Sequence, residues 1–239
     1  MTIELRGAGQ VVVVRCPKVF LLLLENTLTG WAIRELGREP STDIAVDKSS
    51  GQYHITSMLE RPVPPRADLI DCLNEFFLTL SYLTASRSKL QLLHCSAFVA
   101  DEGRNIIVFG PKRAGKSTYV FGKACRGNLI LADDLVFWSA AVGTFMCTGL
   151  PLRMRRPVPP FLKPEVLREK FLAGESLAYS RRGAFSIGPV GTSFSVDKAV
   201  YVEGDKLRPL DFGKYPSAFR EFTINQKFLR LTKRSRLTT

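Results

Sequence analysis

Gly110-Pro111-Lys112-Arg113-Ala114-Gly115-Lys116-Ser117-Thr118 sets two glycines, a lysine and a hydroxyl at the offsets of G-x-x-x-x-G-K-[ST]. This stretch constrains the fold because it works only between a strand and a helix. Its flanks supply both. Residues 106–109 read Ile-Ile-Val-Phe, a buried strand, and residues 117–123 can open a helix. Glycines let the backbone approach a polyphosphate, and the helix N-terminus offers it N–H donors and partial positive charge. In such a loop Lys116 reaches the β- and γ-phosphates and the Ser117 hydroxyl sits on Mg²⁺. The motif alone does not separate hydrolysis, transfer and simple binding.

A second element follows at the right distance. Sixteen residues past Ser117, an apolar run ends in Asp133-Asp134. A strand ending in carboxylates is the usual partner of such a loop, since its acid faces the metal at the phosphates. Two adjacent acids allow one to hold Mg²⁺ while the other takes the proton of an attacking hydroxyl. The sequence leaves the assignment open and leans only slightly to Asp133 as the base. His94, in Leu92-Leu93-His94-Cys95-Ser96, is a third candidate, able to orient or tune one of these carboxylates.

Size and composition bound the rest. A chain of 239 residues with 45% hydrophobic content can bury a sizeable core. The apolar run 19–24 is too short to span a bilayer, and residues 1–6 lack the form of a signal peptide, so a cytoplasmic enzyme without membrane contact is expected. Five scattered cysteines and two histidines give no zinc pattern, and the thiols are expected to be buried and reduced. A net charge of +12 exceeds what a nucleotide needs and suggests a further anionic partner, such as an acidic peptide, a nucleic acid or a phosphorylated metabolite.

Three segments are expected along the chain. Residues 1–65 read as a small α+β unit, with strands at 11–14, 42–46 and 52–56 and a helix over 19–36. It closes on the stiff Arg61-Pro62-Val63-Pro64-Pro65. Residues 66–226 hold the loop domain. A helix over 67–85 opens it, and its acids Asp68, Asp71 and Glu75 read as solvated helix charges. Strands follow at 92–99, 105–109, 128–132, 135–139, 144–148 and 199–202, with a turn at Gly204-Asp205. Residues 157–164 read as irregular and 166–172 as a short helix. Residues 227–239 form a basic tail with five cations and no acid.

Leu93-His94-Cys95-Ser96, the loop sixteen residues after His94, and the run from Arg126-Gly127 to Asp133-Asp134 together resemble the catalytic domain of bacterial HPr kinase/phosphorylases and their wider HPr-kinase-like set. The resemblance covers about residues 90–155. It implies an α/β core of mixed sheets around a phosphate-binding loop, similar to phosphoenolpyruvate carboxykinase. It also implies ATP and Mg²⁺ as cofactors and a serine hydroxyl of a peptide or protein as acceptor. His94 and the acid pair would lie by the transferred phosphoryl group, and a homo-oligomer would fit, because that family often assembles. No acidic residue occurs between Leu135 and Pro164, so the family's second metal-binding glutamate and its reverse phosphorylase reaction are not expected. Arg153, Arg155 and Arg156 stand there instead, suited to phosphate oxygens. The alternatives are a small-metabolite or RNA hydroxyl as acceptor, or a non-catalytic ATP-binding scaffold or sensor.

Overall fold

A computed structural model describes residues 1–37, 41–59, 62–159, 162–203 and 206–210. The chain begins with β1 (Thr2–Gly7), β2 (Gln10–Arg15), α1 (Lys18–Glu25), β3 (Ala32–Leu36), β4 (Ile44–Ser49) and β5 (Gln52–Ser57). These strands form one sheet in the order β3-β1-β2-β4-β5. Its hairpins turn on Ala8-Gly9 and Ser50-Gly51, where all four residues have positive φ. That is the backbone which matches the right-handed twist of paired strands.

Next come α2 (Leu69–Arg87), β6 (Gln91–Leu93), β7 (Ser96–Val99), β8 (Asn105–Phe109), α3 (Lys116–Ala124), β9 (Ile130–Ala132), β10 (Val136–Ser139) and β11 (Thr144–Met146). The remaining elements are β12 (Arg153–Arg155), α4 (Pro164–Lys170), β13 (Phe171–Ala173), β14 (Leu177–Ser180), β15 (Ser193–Phe194), β16 (Lys198–Glu203) and β17 (Lys206–Leu210). They make three further sheets, ordered β15-β11-β10-β6, β12-β14-β13 and β17-β16-β8-β7-β9. The described residues thus form a mixed α/β fold, mostly sheet, with four helices. Both parallel and antiparallel pairs occur: β8 runs parallel to β16 and antiparallel to β7. No described helix is long and apolar enough to cross a membrane.

Asp68 caps α2, its side chain accepting a 2.8 Å bond from the Asp71 N–H. The helix packs with the first sheet around Phe20, Phe76, Leu80 and Leu83, and that core continues into Leu92, Leu135 and Phe137. A second apolar cluster gathers α3 with β12 and β14, and a third lies under β7, β8 and β10.

Several expectations are corrected. The helix expected over 19–36 stops at Glu25, and β3 occupies its second half. Asn26 and Thr29-Gly30 break the apolar run, and Trp31 donates its indole N–H to the Thr148 carbonyl at 3.0 Å. The strand expected over 92–99 is two strands in two sheets. The helix over 166–172 begins at Pro164 and yields Phe171 and Leu172 to β13. Asp71 and Glu75 are buried rather than solvated. Asp71 accepts from the N–H groups of Ser176 and Leu177, and Glu75 pairs with Arg66 at 2.8 Å. Four cysteines are buried, but Cys125 is exposed. Arg61 of the proline connector, Pro160 and Phe161, the Gly204-Asp205 turn and the basic tail 227–239 lie outside the described residues.

Gly149 stitches the first sheet to the later chain. Its carbonyl accepts from the Thr29 N–H at 2.9 Å, and the Thr29 carbonyl accepts from Val190 at 3.0 Å. Gly149 has φ +66, and a Cβ there would sit 2.2 Å from the Thr29 carbonyl oxygen. Gly149→Ala is therefore expected to lower the unfolding free energy by about 2–4 kcal/mol in denaturant titration, through both strain and collision. Gly143 has the same φ of +66 and nothing within 4 Å. Gly143→Ala should show only the backbone cost of about 1–2 kcal/mol. Equal losses in the two variants would contradict this packing.

Candidate active site

Two strands change sheets side by side, and that crossing builds the site. β6 pairs with β10 through Leu93 and Val136, while β7 pairs with β9 through Ala97 and Ala132. His94 and Cys95 join β6 to β7, and Asp133, Asp134 and Leu135 join β9 to β10. The two bridges face each other across the bend. Asp134 has φ 72, a left-handed backbone that aspartate tolerates better than most residues.

The two carboxylates meet different surroundings. Asp133 is 4% exposed. Its Oδ1 accepts from the Ser96 hydroxyl at 3.2 Å and its Oδ2 from the Arg153 N–H at 2.9 Å. Burial raises its pKa above the ordinary carboxylate value, and hydrogen bonds from Arg153 and the Ser117 side chain pull only partly the other way. Asp134 lines a cleft. Its Oδ1 accepts from His94 Nε2 at 2.8 Å and from Arg153 Nη2 at 2.9 Å. Burial works to raise this pKa too, but the His94 bond and the Arg153 and Lys116 charges outweigh it and hold Asp134 below the usual range. The two acids are thus shifted in opposite directions, and His94 attaches to Asp134 rather than to Asp133.

Arg153 joins the two acids, its backbone on one and its guanidinium on the other. Its Nη1 donates to Asn74 Oδ1 at 2.7 Å, and that oxygen also accepts from the Tyr179 hydroxyl at 3.4 Å. Burial disfavours the Arg153 charge, yet the nearby carboxylates and Tyr179 leave its pKa raised. Asn74 comes from α2 and Tyr179 from β14, so three elements fix one guanidinium. Arg155 is exposed on the cleft, while Arg156 donates to the Gly174 carbonyl at 2.7 Å.

The loop 110–118 leaves the end of β8, at the middle of its sheet. Gly110 has φ +151, and a Cβ there would lie 2.4 Å from the Val202 carbonyl oxygen, so only glycine fits. Gly115 caps α3 with φ 93 and no side-chain bond. The first bond across this turn runs from the Tyr119 N–H to the Gly115 carbonyl at 2.8 Å. The N–H groups of Lys116, Ser117 and Thr118 precede it, and a helix start has no earlier carbonyl for them. Lys116 is 5% exposed, with its Nζ donating to the carbonyls of Gly110 and Pro111, each at 2.9 Å. Burial lowers its pKa, against the pull of Asp134.

The whole loop, with Pro111, Lys112, Arg113 and Ala114, borders the cleft of about 1000 Å³ that also holds His94, Asp134 and Arg153. Its lining carries five cations, Lys112, Arg113, Lys116, Arg153 and Arg155, against the single carboxylate of Asp134. That balance suits a polyanion. Among the described residues no group of three or more His, Cys, Asp or Glu side chains could cage a metal. Ser117 and Asp133 offer one hydroxyl and one carboxylate. This donor set suits Mg²⁺, which keeps waters and binds through one or two carboxylates plus substrate phosphates.

All the residues expected at the site meet at this cleft or directly beneath it, except that Arg156 turns to Gly174. Sequence reasoning missed Asn74 and Tyr179. A signal for Asn74 was present: Asn74, Leu78 and Tyr82 recur every four residues off the main apolar face of α2, the mark of a helix with a neighbour on a second side. The sequence matches no protein-family model and no curated protein.

Proposed function

We propose that this chain is an ATP-dependent, Mg²⁺-requiring kinase that moves the γ-phosphate of ATP onto a hydroxyl, foremost a serine of a peptide or protein. The observation that carries this reading is the meeting of Lys116, in its glycine loop, with Asp134, held by His94 and Arg153, in one cationic cleft. The resemblance to HPr-kinase-like proteins points the same way, and the mixed sheets around the loop agree with a core of that kind. A cytoplasmic setting follows from the need for ATP and suits the free thiols.

The loop N–H groups and Lys116 bind the phosphates and stabilise charge on the transferring group. Asp134 accepts the proton of the acceptor hydroxyl as its oxygen bonds to the γ-phosphorus. The bond from that phosphorus to the β,γ-bridging oxygen breaks, and ADP leaves. Asp134 favours this role over Asp133 because it lines the cleft, whereas Asp133 lies beneath it. His94 and Arg153 orient Asp134. Arg155 adds positive charge at the cleft surface. Ser117 and Asp133 would hold Mg²⁺, which supplies charge neutralisation between the phosphates when bound.

Calorimetric titration with ATP tests the binding half of this reading. Mg²⁺ should tighten ATP binding by wild-type protein and do so far less in Ser117→Ala. Wild-type protein that binds ATP neither with nor without Mg²⁺ would remove the basis of the proposal.

A further inference from the structure

The cleft lies between two hydrophobic cores. Leu78, Tyr82 and Leu135 belong to the core shared by α2 and the first sheet, while Met154 and Val158 belong to the core under α3. The first wall holds the site's base, since Leu135 follows Asp134 in the chain. It is also tied to the base by hydrogen bonds, because Asn74 holds the Arg153 guanidinium that pairs with Asp134. Asn74, Leu78 and Tyr82 are spaced four residues apart, which stacks them in one stripe along α2. None of Asn74, Leu78, Tyr82 or Leu135 carries a charge; Asn74 and Leu78 are half-buried and supply most of the surface, while Tyr82 (7% exposed) and Leu135 (4%) show only an edge. The cleft's exposed cations, Lys112, Arg113 and Arg155, sit instead on the loop and β12.

We infer that the α2 stripe, with Leu135, is the acceptor wall of the cleft, and that it takes an extended peptide carrying an apolar side chain beside the phosphorylated serine. The inference rests on the kinase reading above and names its substrate class. An acceptor hydroxyl that hydrogen-bonds to Asp134 must lie on the Asp134 side of the cleft, so its neighbours in the acceptor meet this wall first. The eight rises of helix from Asn74 to Tyr82 span roughly 12 Å. At about 3.3 Å per extended residue that is room for the serine and two or three neighbours. Leu78 gives an apolar flank a contact, whereas an acidic flank would lose hydration against it, since the one guanidinium bordering this wall, Arg153, is already paired with Asp134 and Asn74.

Two peptides test this, identical except that the serine is flanked on both sides by Leu or by Asp. Wild-type protein should use the Leu-flanked peptide with a kcat/KM about 10- to 100-fold higher. Leu78→Asp should erase most of that preference and leave the ATP Kd unchanged. Leu78→Ala removes the contact without adding charge and should move the preference in the same direction, which keeps the test valid if Leu78→Asp does not fold. Equal use of the two peptides by wild-type protein overturns the inference. So does a weakened ATP Kd in either variant, since it would put the nucleobase on this wall, and so does phosphate appearing on RNA in preference to peptide. Calorimetric binding of the two peptides separates the failures. Selective binding without transfer keeps the wall and removes the kinase reading, while transfer without selectivity keeps the kinase and removes the wall.

Discussion

Asp134→Asn should lower kcat for phosphate transfer by about 10²–10⁴-fold, the usual contribution of a positioned general base, and change ATP affinity little. The amide keeps the size of the carboxylate, and its oxygen can still accept from His94 and Arg153, which lie 2.8 and 2.9 Å from Asp134 Oδ1 in the native site. It cannot take up a proton at neutral pH. The lost step is therefore deprotonation of the acceptor, read as a fall in kcat with a nearly constant ATP Kd. Asp133→Asn should differ in kind. Both Asp133 oxygens accept from internal donors, the Ser96 hydroxyl and the Arg153 N–H. An amide there aims an NH₂ at one of them, which costs about 1–3 kcal/mol of stability. A kcat for Asp134→Asn equal to wild type, with a large loss in Asp133→Asn at unchanged stability, would exchange the two roles.

Lys116→Ala should be the second severe variant. The native ammonium is buried and bridges the carbonyls of Gly110 and Pro111 at 2.9 Å. It is thus held inside the loop, at the start of α3, where bound phosphates would replace or share those carbonyl contacts. Its removal takes away one fixed charge from a water-poor site, an effect of about 10²–10³ in kcat. ATP affinity should fall as well, because the same charge acts on the ground-state phosphates. This separates Lys116 from Asp134, whose loss should spare binding. Lys116→Arg should restore little, since a planar guanidinium does not fit the point-like position of an ammonium between two carbonyls. Transfer and ATP binding at wild-type levels in Lys116→Ala would contradict the placement of phosphate in this loop.

The legible part of the site was the part encoded by local spacing. Gly110, Gly115, Lys116 and Ser117 are near neighbours in sequence, and β8 and α3 flank them as the motif requires. His94 and the acid pair were legible as candidates, but their pairing was not. The different surroundings of Asp133 and Asp134 go with the turn at Asp134, whose φ is 72, with one acid inside and the other on the cleft. An apolar run such as residues 92–99 carries no mark where it leaves one sheet for another, because both of its halves are buried. The division at His94 and Cys95 therefore escaped periodicity. The misread helix at 19–36 has a similar cause: Leu28 and Trp31 are buried for tertiary reasons, and the breakers at Asn26 and Gly30 outweigh the apolar pattern. Asn74 and Tyr179 lie 79 and 26 residues from Arg153, and only the folded chain brings them together.

The central claim is that one cleft, walled by the glycine loop and Asp134, transfers phosphate to a peptide hydroxyl. Mass spectrometry of a serine-containing peptide after incubation with the protein and Mg-ATP tests it most directly. The expected result is one added phosphate on serine with wild-type protein and almost none with Asp134→Asn or Lys116→Ala. Phosphate added equally by all three proteins, or ATP bound by the wild type with no phosphate added to any hydroxyl acceptor, would contradict it.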